Sequence, residues 1–471
     1  MRKPKKYLSI VLENVLIEDY AAEGKCIAKI DGEVIFIEGI VAPGDVADIE
    51  IYKQKKQYKE ARVLKIQKAS ADRTESFCNH FGTCGGCKWQ HLSYESQLKY
   101  KQKQVVDAME RIAKVEIPAI EPILGSENLQ YYRNKLEFTF SKLRWLTQSE
   151  IDSGGEFSRN TLGFHVPKRF DKILEINHCY LQEEPSNKIR NFLNEFCSKH
   201  DFEFYDHKNQ EGFVRTLTIR TSNLAGLMVI LAVARLEMDK INAAMEALKA
   251  EFPEISSLNY VINQKLNDTI YDQDIICYHG VPYIEEKMED LTFRINPKSF
   301  FQTNPKQALS LYQLTREFAD LQTDELVYDL YTGTGTIANF VAKSVKKVVG
   351  LEYVPEAIVD ANINSSLNGI ENVEFFAGDM RKLLTKEFFD INGYPDTIIT
   401  DPPRAGMDKE VVAAIVAAKP KKIVYVSCNP ATQARDIALM DEFYEVKRIK
   451  PVDMFPHTHH VENIVLLNLR K

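Results

Sequence analysis

The last third of the chain constrains the fold most. Five short apolar runs, Leu326–Leu330, Lys347–Leu351, Val373–Phe376, Thr397–Thr400 and Lys422–Ser427, recur at near-regular intervals with helical segments between them. Runs that short read as strands. Strands alternating with helices pair in parallel, because each crossover helix returns the chain to the same end of the sheet. The region predicts a doubly wound α/β sheet, finished by a strand pair at Glu445–Val452 and Ile464–Leu469. Ligands of such sheets bind in the crevice at the carboxyl ends of the strands.

The residues at those ends are informative. Asp329-Leu-Tyr-Thr-Gly-Thr-Gly-Thr336 runs from the first strand into a helix, and Gly333 and Gly335 let backbone approach a ligand closely. Ala338 replaces the third glycine of a dinucleotide fingerprint, which disfavours a pyrophosphate-bearing cofactor. Glu352 ends the second strand, where an acid can accept both ribose hydroxyls. Asp379 ends the third strand, where a carboxylate can receive an adenine amino group, and Asp401 ends the fourth. Ordinary helix caps account for one or two of these acids but not for the set. The set predicts an S-adenosylmethionine site.

Val426-Ser-Cys428-Asn-Pro closes the fifth strand and sets Cys428 at the rim of that crevice. A lone cysteine there is more often a small buried residue; beside a methyl donor it reads as a nucleophile. C5 of uracil is a weak nucleophile, but a thiolate adding at C6 makes an enolate whose C5 can take a methyl group. A base must then remove the C5 proton so that the thiolate leaves. Glu462, in Phe455-Pro-His-Thr-His-His-Val-Glu-Asn, is the candidate base. His457, His459 and His460 fit no common metal-ligand spacing. Methylation of an adenine amino group favours an aromatic residue after Asp-Pro-Pro, where this chain has Arg404. Cytosine C5 enzymes acting on RNA usually place a second cysteine in that motif, and Asp401–Gly406 has none. Uridine survives both tests.

A chain of 471 residues exceeds one hydrophobic core, so about two to four domains are expected. No apolar run reaches the roughly 20 residues of a membrane helix. Met1-Arg-Lys-Pro-Lys-Lys is basic but no signal-peptide core follows, so a cytoplasmic location and reduced cysteines are expected. Cys26, Cys197 and Cys277 then read as small core residues. The net charge of −7 leaves a nucleic-acid partner open, because the N-terminal fifth is dense in Lys and Arg while acid gathers elsewhere.

Residues 8–68 predict strands at Leu8–Ile17, Gly24–Ile30, Val34–Ile37, Ala47–Tyr52 and Glu60–Ile66, with turns at Glu23-Gly24, Asp31-Gly32 and Ala42–Asp45. That pattern predicts a small closed barrel of the OB type. Its last hairpin carries Lys53, Lys55, Lys56, Lys59, Arg62, Lys65 and Lys68 around Tyr52 and Tyr58. This reads equally as an RNA-binding rim or as a solvated edge. Tyr94–Lys114 has helical spacing, with Leu98, Val105, Val106, Met109 and Ile112 on one stripe. Strands predominate from Tyr131 to about Asn296, interrupted by one helix at Lys240–Glu251.

These motifs together resemble the family of RNA uridine-5 methyltransferases, most of all its 23S ribosomal RNA branch, over nearly the whole chain. Residues 8–68 resemble a TRAM domain, and Cys78-x5-Cys84-Gly-Gly-Cys87 resembles the family's iron–sulfur motif. Asn296-Pro-Lys-Ser-Phe-Phe-Gln-Thr-Asn resembles its cofactor entry motif; Asp401-Pro-Pro-Arg-Ala-Gly, Ser427-Cys-Asn-Pro-Ala-Thr and Phe455-Pro-His-Thr complete the match. The resemblance implies three parts: a TRAM barrel over 1–70, an iron–sulfur and RNA-binding α+β region over 71–296, and a class I methyltransferase domain over 297–471. A helix within 91–117 is placed to dock on the last. It implies cofactor contacts at Gln302, Tyr331, Thr336, Glu352, Asp379 and Asp401, a nucleophile at Cys428 and a base at Glu462. Thr332 departs from the cysteine of many relatives, at a contact made mainly by backbone. Cys78, Cys84 and Cys87 with Cys179 could by spacing hold zinc, and the resemblance selects a [4Fe–4S] cluster. Tyr132-Arg133-Asn-Lys135 is a candidate RNA contact, with a structural ion pair equally open to Arg133, and Phe300 or Phe301 faces cofactor or base, or packs in the core. The implied partner is structured RNA, namely 23S rRNA, with no membrane and no evident obligate protein partner. The alternatives are a tRNA uridine-5 methyltransferase and a non-catalytic RNA-binding factor.

Overall fold

The computed structural model describes residues 9–21 and 24–471. Leu8, the basic Met1–Lys6 segment and Glu23 of the expected turn lie outside them. The first part comprises β1 (Ile10–Leu16), β2 (Asp19–Tyr20), β3 (Cys26–Ile30), β4 (Glu33–Glu38), β5 (Val46–Gln54) and β6 (Tyr58–Lys68), in the order β1-β5-β6-β4-β3-β2. β1 and β2 are one bent stretch of chain. Leu16 pairs with Val46 and Ile17 N–H donates to the Asp45 carbonyl, while Glu18 N–H turns to the Ile27 carbonyl and Tyr20 pairs with Cys26. The chain itself thus joins both edges of the sheet, which closes the expected barrel. Along β5, Ala47, Ile49 and Ile51 fill the interior at a two-residue period. Of the hairpin cations, Lys53, Lys59 and Arg62 pair with Glu60, Glu33 and Glu50, while Lys55, Lys56, Lys65 and Lys68 are exposed.

Ser93 caps α1 (Tyr94–Ala108), its Oγ accepting the Ser96 N–H. The helix ends in a single π turn, Met109–Ala113. The wider turn inserts one residue, so Ala113 follows Met109 inward and Ile112, expected on the buried stripe, is 44% exposed. Val105, Ala108, Met109 and Ala113 enter the same core as the C-terminal sheet, so the helix docks there.

The middle part comprises β7 (Lys135–Ser141), α2 (Gln148–Ser153), β8 (Thr161–Val166), β9 (Arg169–Glu175), α3 (Ser186–Lys199), β10 (Val214–Thr221), β11 (Leu227–Val233), α4 (Met238–Glu251), β12 (Ser257–Ile262) and β13 (Ile275–Gly280). Three helices stand here instead of the single one expected. α3 buries Ile189, Leu193 and Cys197 at helical spacing, a stripe obscured in sequence by the strands around it. The sheet order is β13-β12-β11-β10-β7-β8-β9. β11 is buried on both faces: Val229, Leu231 and Val233 meet α4, while Met228, Ile230 and Ala232 join the core of the C-terminal sheet. Cys26 and Cys197 are buried as expected, but Cys277 is only half-buried because it lies on the edge strand β13.

A hairpin of β14 (Ile284–Met288) and β15 (Leu291–Ile295) packs on the C-terminal sheet. That part runs α5 (Pro305–Ala319), β16 (Leu326–Leu330), α6 (Thr336–Ala342), β17 (Lys347–Glu352), α7 (Pro355–Leu367), β18 (Val373–Ala377), α8 (Met380–Leu383), α9 (Lys386–Asn392), β19 (Thr397–Thr400), α10 (Lys409–Ala418), β20 (Lys422–Ser427), α11 (Pro430–Met440), β21 (Tyr444–Val452) and β22 (Glu462–Leu469). All five predicted strands and the final pair are present. The order β18-β17-β16-β19-β20-β22-β21 is parallel except for β22 and β21. It reverses direction between β16 and β19, which opens the crevice there. Among the described residues no helix is long and apolar enough to cross a membrane.

Candidate active site

The loop after β16 is built to receive a ligand. Tyr331 takes a φ of 64°, and Gly333 and Gly335 follow at 56° and 76°. A Cβ on Gly335 would stand 2.8 Å from the Phe375 ring and 2.9 Å from Ala361, so glycine alone fits; above Gly333 the space is open. Asp329 is fully buried. Its Oδ2 accepts the Thr332 hydroxyl at 2.5 Å and the Ala338 N–H at 3.0 Å, which sets the loop's curvature, while Oδ1 has no protein partner. Burial pushes this carboxyl up to about 7. Glu352, at the end of β17, accepts the Gly333 N–H at 3.1 Å and the Val354 N–H at 3.0 Å, so its orientation is fixed beside the glycine loop.

The other expected cofactor contacts are placed less uniformly. Asp379 lies two residues past β18 and caps α8, and Arg381 holds its carboxyl below the usual range through a bidentate pair. Thr336 is buried at the first position of α6, and Tyr331 is half-buried. Gln302 is half-buried in the segment before α5, which Asn134 fastens to the start of β7. The Asn134 side-chain amide donates to the Gln302 carbonyl at 3.3 Å, and its N–H donates to the Thr303 carbonyl at 2.8 Å. Arg133 reaches Thr303 at 3.4 Å and lies over the Phe455 ring. Phe300 is exposed and Phe301 is buried in the core.

Across the crevice, β19 and β20 end where the antiparallel β22 begins, which brings Asp401, Cys428 and Glu462 into one corner. Glu462 is buried, and burial followed by the neighbouring Asp401 pushes its carboxyl up to about 8; Arg404 opposes this. Asp401, half-buried in the same corner, is pushed up to about 7 by desolvation. The Cys428 thiol is half-buried and pushed up to about 11, by burial first and then by Glu462 and Asp401. Arg404 works against that rise, lying within hydrogen-bonding reach of the thiol. Its Nη2 is 2.6 Å from His460 Nδ1, and its backbone carbonyl accepts from Asn429 and Thr432, the residues flanking Cys428 on the helix side. The sequence signal for Arg404 was present in Asp-Pro-Pro-Arg. It reads there only as the absence of an aromatic residue. Tyr312 of α5, buried behind Asp401, Asp329 and Glu462, is a further member of the site, and a residue on an ordinary helical stripe carries no signal of that.

Cys428 opens onto a cleft of about 800 Å3. One wall is Arg404, Asn429, His460 and Val461; the other is the barrel, through Ile27, Lys29, Val34 and Phe36; the floor is the end of α1 with Arg111 and Ile112. The barrel therefore forms one wall of the cleft that Cys428 lines.

Cys78, Cys84, Cys87 and Cys179 line a second cavity, of about 490 Å3, between the cysteine loop and the central sheet. Burial pushes the Cys84 thiol up to about 12 and the Cys87 thiol up to about 11, and the cysteines' own charges add to each rise. Among the described residues no three His, Cys, Asp or Glu side chains converge closely enough to hold one metal ion.

A sheet of this order, with a glycine loop and an acid at the next strand end, defines a class I S-adenosylmethionine-dependent methyltransferase. The model of the tRNA (uracil-5-)-methyltransferase family matches residues 186–470, and that of the TRAM domain matches residues 13–64. The chain belongs to the tRNA (uracil-5-)-methyltransferase family and is an RNA methyltransferase. It is 53% identical to an uncharacterized RNA methyltransferase of Bacteroides thetaiotaomicron, over 96% of this chain and 100% of that protein. It is 54% identical to one of Porphyromonas gingivalis, over 96% and 98%. The crystal structure of the Pyrococcus abyssi tRNA (uracil-54, C5)-methyltransferase in complex with S-adenosyl-L-homocysteine superposes with a TM-score of 0.75 at 27% identity, covering 97% of this chain and all of that one.

Proposed function

We propose that this protein methylates C5 of a uridine in structured RNA, with Cys428 as covalent nucleophile and Glu462 as base. The observation that carries the reading is the meeting of Cys428, Glu462 and Arg404 in one corner, at the mouth of a crevice shaped for a nucleoside donor. The open space over Gly333 and the fixed Glu352 carboxylate fit that donor. Gln302, Tyr331, Thr336, Asp379 and Asp401 complete the proposed contacts. S-adenosylmethionine supplies an electrophilic methyl group on a sulfonium.

The thiolate of Cys428 adds to C6, and the displaced electron pair moves through C5 onto the O4 carbonyl. Arg404 favours the thiolate over the thiol and so promotes this step. C5 then takes the methyl group. The Glu462 carboxylate removes the proton from C5, the C5–C6 double bond re-forms, and Cys428 leaves as thiolate. The uridine must be turned out of its stack to reach Cys428, and the cleft between barrel and catalytic sheet is the path for the flanking RNA. Glu462→Gln tests the scheme. With methyl-labelled donor it should accumulate a labelled protein–RNA band on a denaturing gel, whereas near-normal release of methylated RNA would rule out the base role.

The proposed substrate is 23S rRNA and the proposed compartment the cytoplasm. The resemblance of the TRAM barrel and the cysteine motif to the ribosomal branch supports this. A tRNA target is the second reading, favoured by the full-length likeness to an enzyme named for tRNA uracil 54. Mapping 5-methyluridine in RNA from a deletion strain decides between them: its loss from 23S rRNA supports the first, its loss from tRNA the second. In the middle part, Cys78, Cys84, Cys87 and Cys179 are proposed to hold a [4Fe–4S] cluster; that all four line one cavity supports this.

A further inference from the structure

The segment between β21 and β22, residues 453–461, carries His460 and leads directly into Glu462. It is held from behind. The backbone N–H groups of Lys88 and Trp89, which follow Cys87, both donate to the His457 carbonyl, at 2.8 and 3.0 Å. Phe77, which precedes Cys78, sets its ring edge-on to the His457 ring, with centroids 5.0 Å apart. Thr458 lines the same cavity as the four cysteines. His457 itself is buried with a φ of 64°, a conformation that needs outside support in a residue with a Cβ. That support comes from Gln97 of α1, whose Oε1 accepts the His457 N–H at 2.7 Å and whose Nε2 lies 3.2 Å from Nδ1. Nε2 of His457 stands 3.0 Å from the Leu129 carbonyl. Burial holds the imidazole down at about 4, so it is neutral and serves as a fixed hydrogen-bonding group.

We infer that His457 is a positioning residue through which the cysteine loop sets Glu462. The two ends of the cysteine loop grip one residue, and that residue's strained backbone fixes the path of the chain to the base. The inference rests on the proposed role of Glu462. It concerns the residues flanking the cysteines, which are in contact with His457 whatever the cavity holds. Its consequence is specific to one step. Loosening the grip leaves Cys428 at the end of β20 and the glycine loop in place, so adduct formation and donor binding persist, while proton removal from C5 slows.

The test uses the full-length protein with Phe77→Ala and His457→Asn, the second chosen because Asn tolerates positive φ. Three things are measured. They are hydrogen exchange over residues 453–462, binding of S-adenosyl-L-homocysteine, and the partition of methyl label between free RNA and a denaturation-resistant protein–RNA complex. The inference expects several-fold faster exchange in Phe77→Ala, unchanged binding, and a several-fold larger share of label trapped on the protein in both variants. A merely structural role would lower both labelled species together. Unchanged exchange would overturn the grip, and faster exchange with wild-type partition would overturn the positioning. Glu462→Gln on the same gel separates the premises: if it traps no complex, the base assignment fails and the partition claim with it, while the exchange result still decides the grip.

Discussion

Glu462, buried, and Asp401, half-buried, bring two carboxyls into one corner, and both hold protons well above the ordinary carboxylate range. The sign for stability follows. The unfolded chain releases these protons near pH 4, while the folded protein keeps them to about 7 and 8, so the contribution is full below pH 4 and is lost as pH rises through that window. In cofactor-free protein, Glu462→Gln should therefore match the wild type in melting temperature near pH 4. Its advantage should grow towards pH 8, and a constant difference across that range would contradict the shift. At Cys428 the sign is opposite for function: the reactive thiolate grows with pH towards about 11. Arg404→Gln should raise that value, read as slower alkylation of Cys428 by iodoacetamide at every pH from 7 to 9. Equal alkylation rates would remove Arg404 from the activation of the thiol. Sequence spacing brought Cys428 and Glu462 to notice because the chemistry demands those groups. Arg404 and Tyr312 emerge only from packing, since nothing in a motif says which way a guanidinium turns.

At the scale of elements, the join between α1 and the β21–β22 segment is the least legible and among the most tightly built. Lys101 and Asp453 are both fully buried, with Nζ 2.5 Å from Oδ1. Tyr94 donates to Asp453 Oδ2 at 2.9 Å, and Lys101 also reaches the Phe455 carbonyl at 3.0 Å. Such a pair is costly to break singly, because the survivor keeps its charge in a dry site. Lys101→Met should destabilise the protein by about 3–5 kcal/mol in urea denaturation, and a loss under about 1 kcal/mol would show that water reaches Asp453. In sequence, Lys101 reads as a polar position on an amphipathic helix, because its partner lies more than 350 residues away. The strands of the catalytic sheet were legible because each is a short run bounded by a turn. The π turn was not, because a single inserted residue leaves the apolar pattern of Met109 and Ile112 intact and changes only which of them is covered.

For the whole molecule, the three parts share cores: β11 feeds alternate side chains into two of them, and α1 and its π turn are absorbed into a third. A chain divided by sequence near residue 296 is continuous in packing there, because β14 and β15 bury Ile284, Phe293 and Ile295 against the C-terminal sheet. Domain division reads composition and turns, whereas cores form wherever two apolar faces meet. The cysteine cavity sits at such a meeting, between the cysteine loop and the central sheet. Protein purified without oxygen should carry about four irons and four sulfides per chain. Stoichiometric zinc in colourless protein would contradict the proposed cluster.

The proposed covalent bond between Cys428 and C6 of the target uridine can be read directly. Fluorine at C5 cannot be abstracted by Glu462, so RNA carrying 5-fluorouridine should stop the reaction after methyl transfer. Mass spectrometry of the digested complex formed with S-adenosylmethionine should then find the peptide containing Cys428 bonded to a methylated, fluorinated dihydrouridine. No such peptide in the wild type, or an adduct on any other residue, would contradict the account.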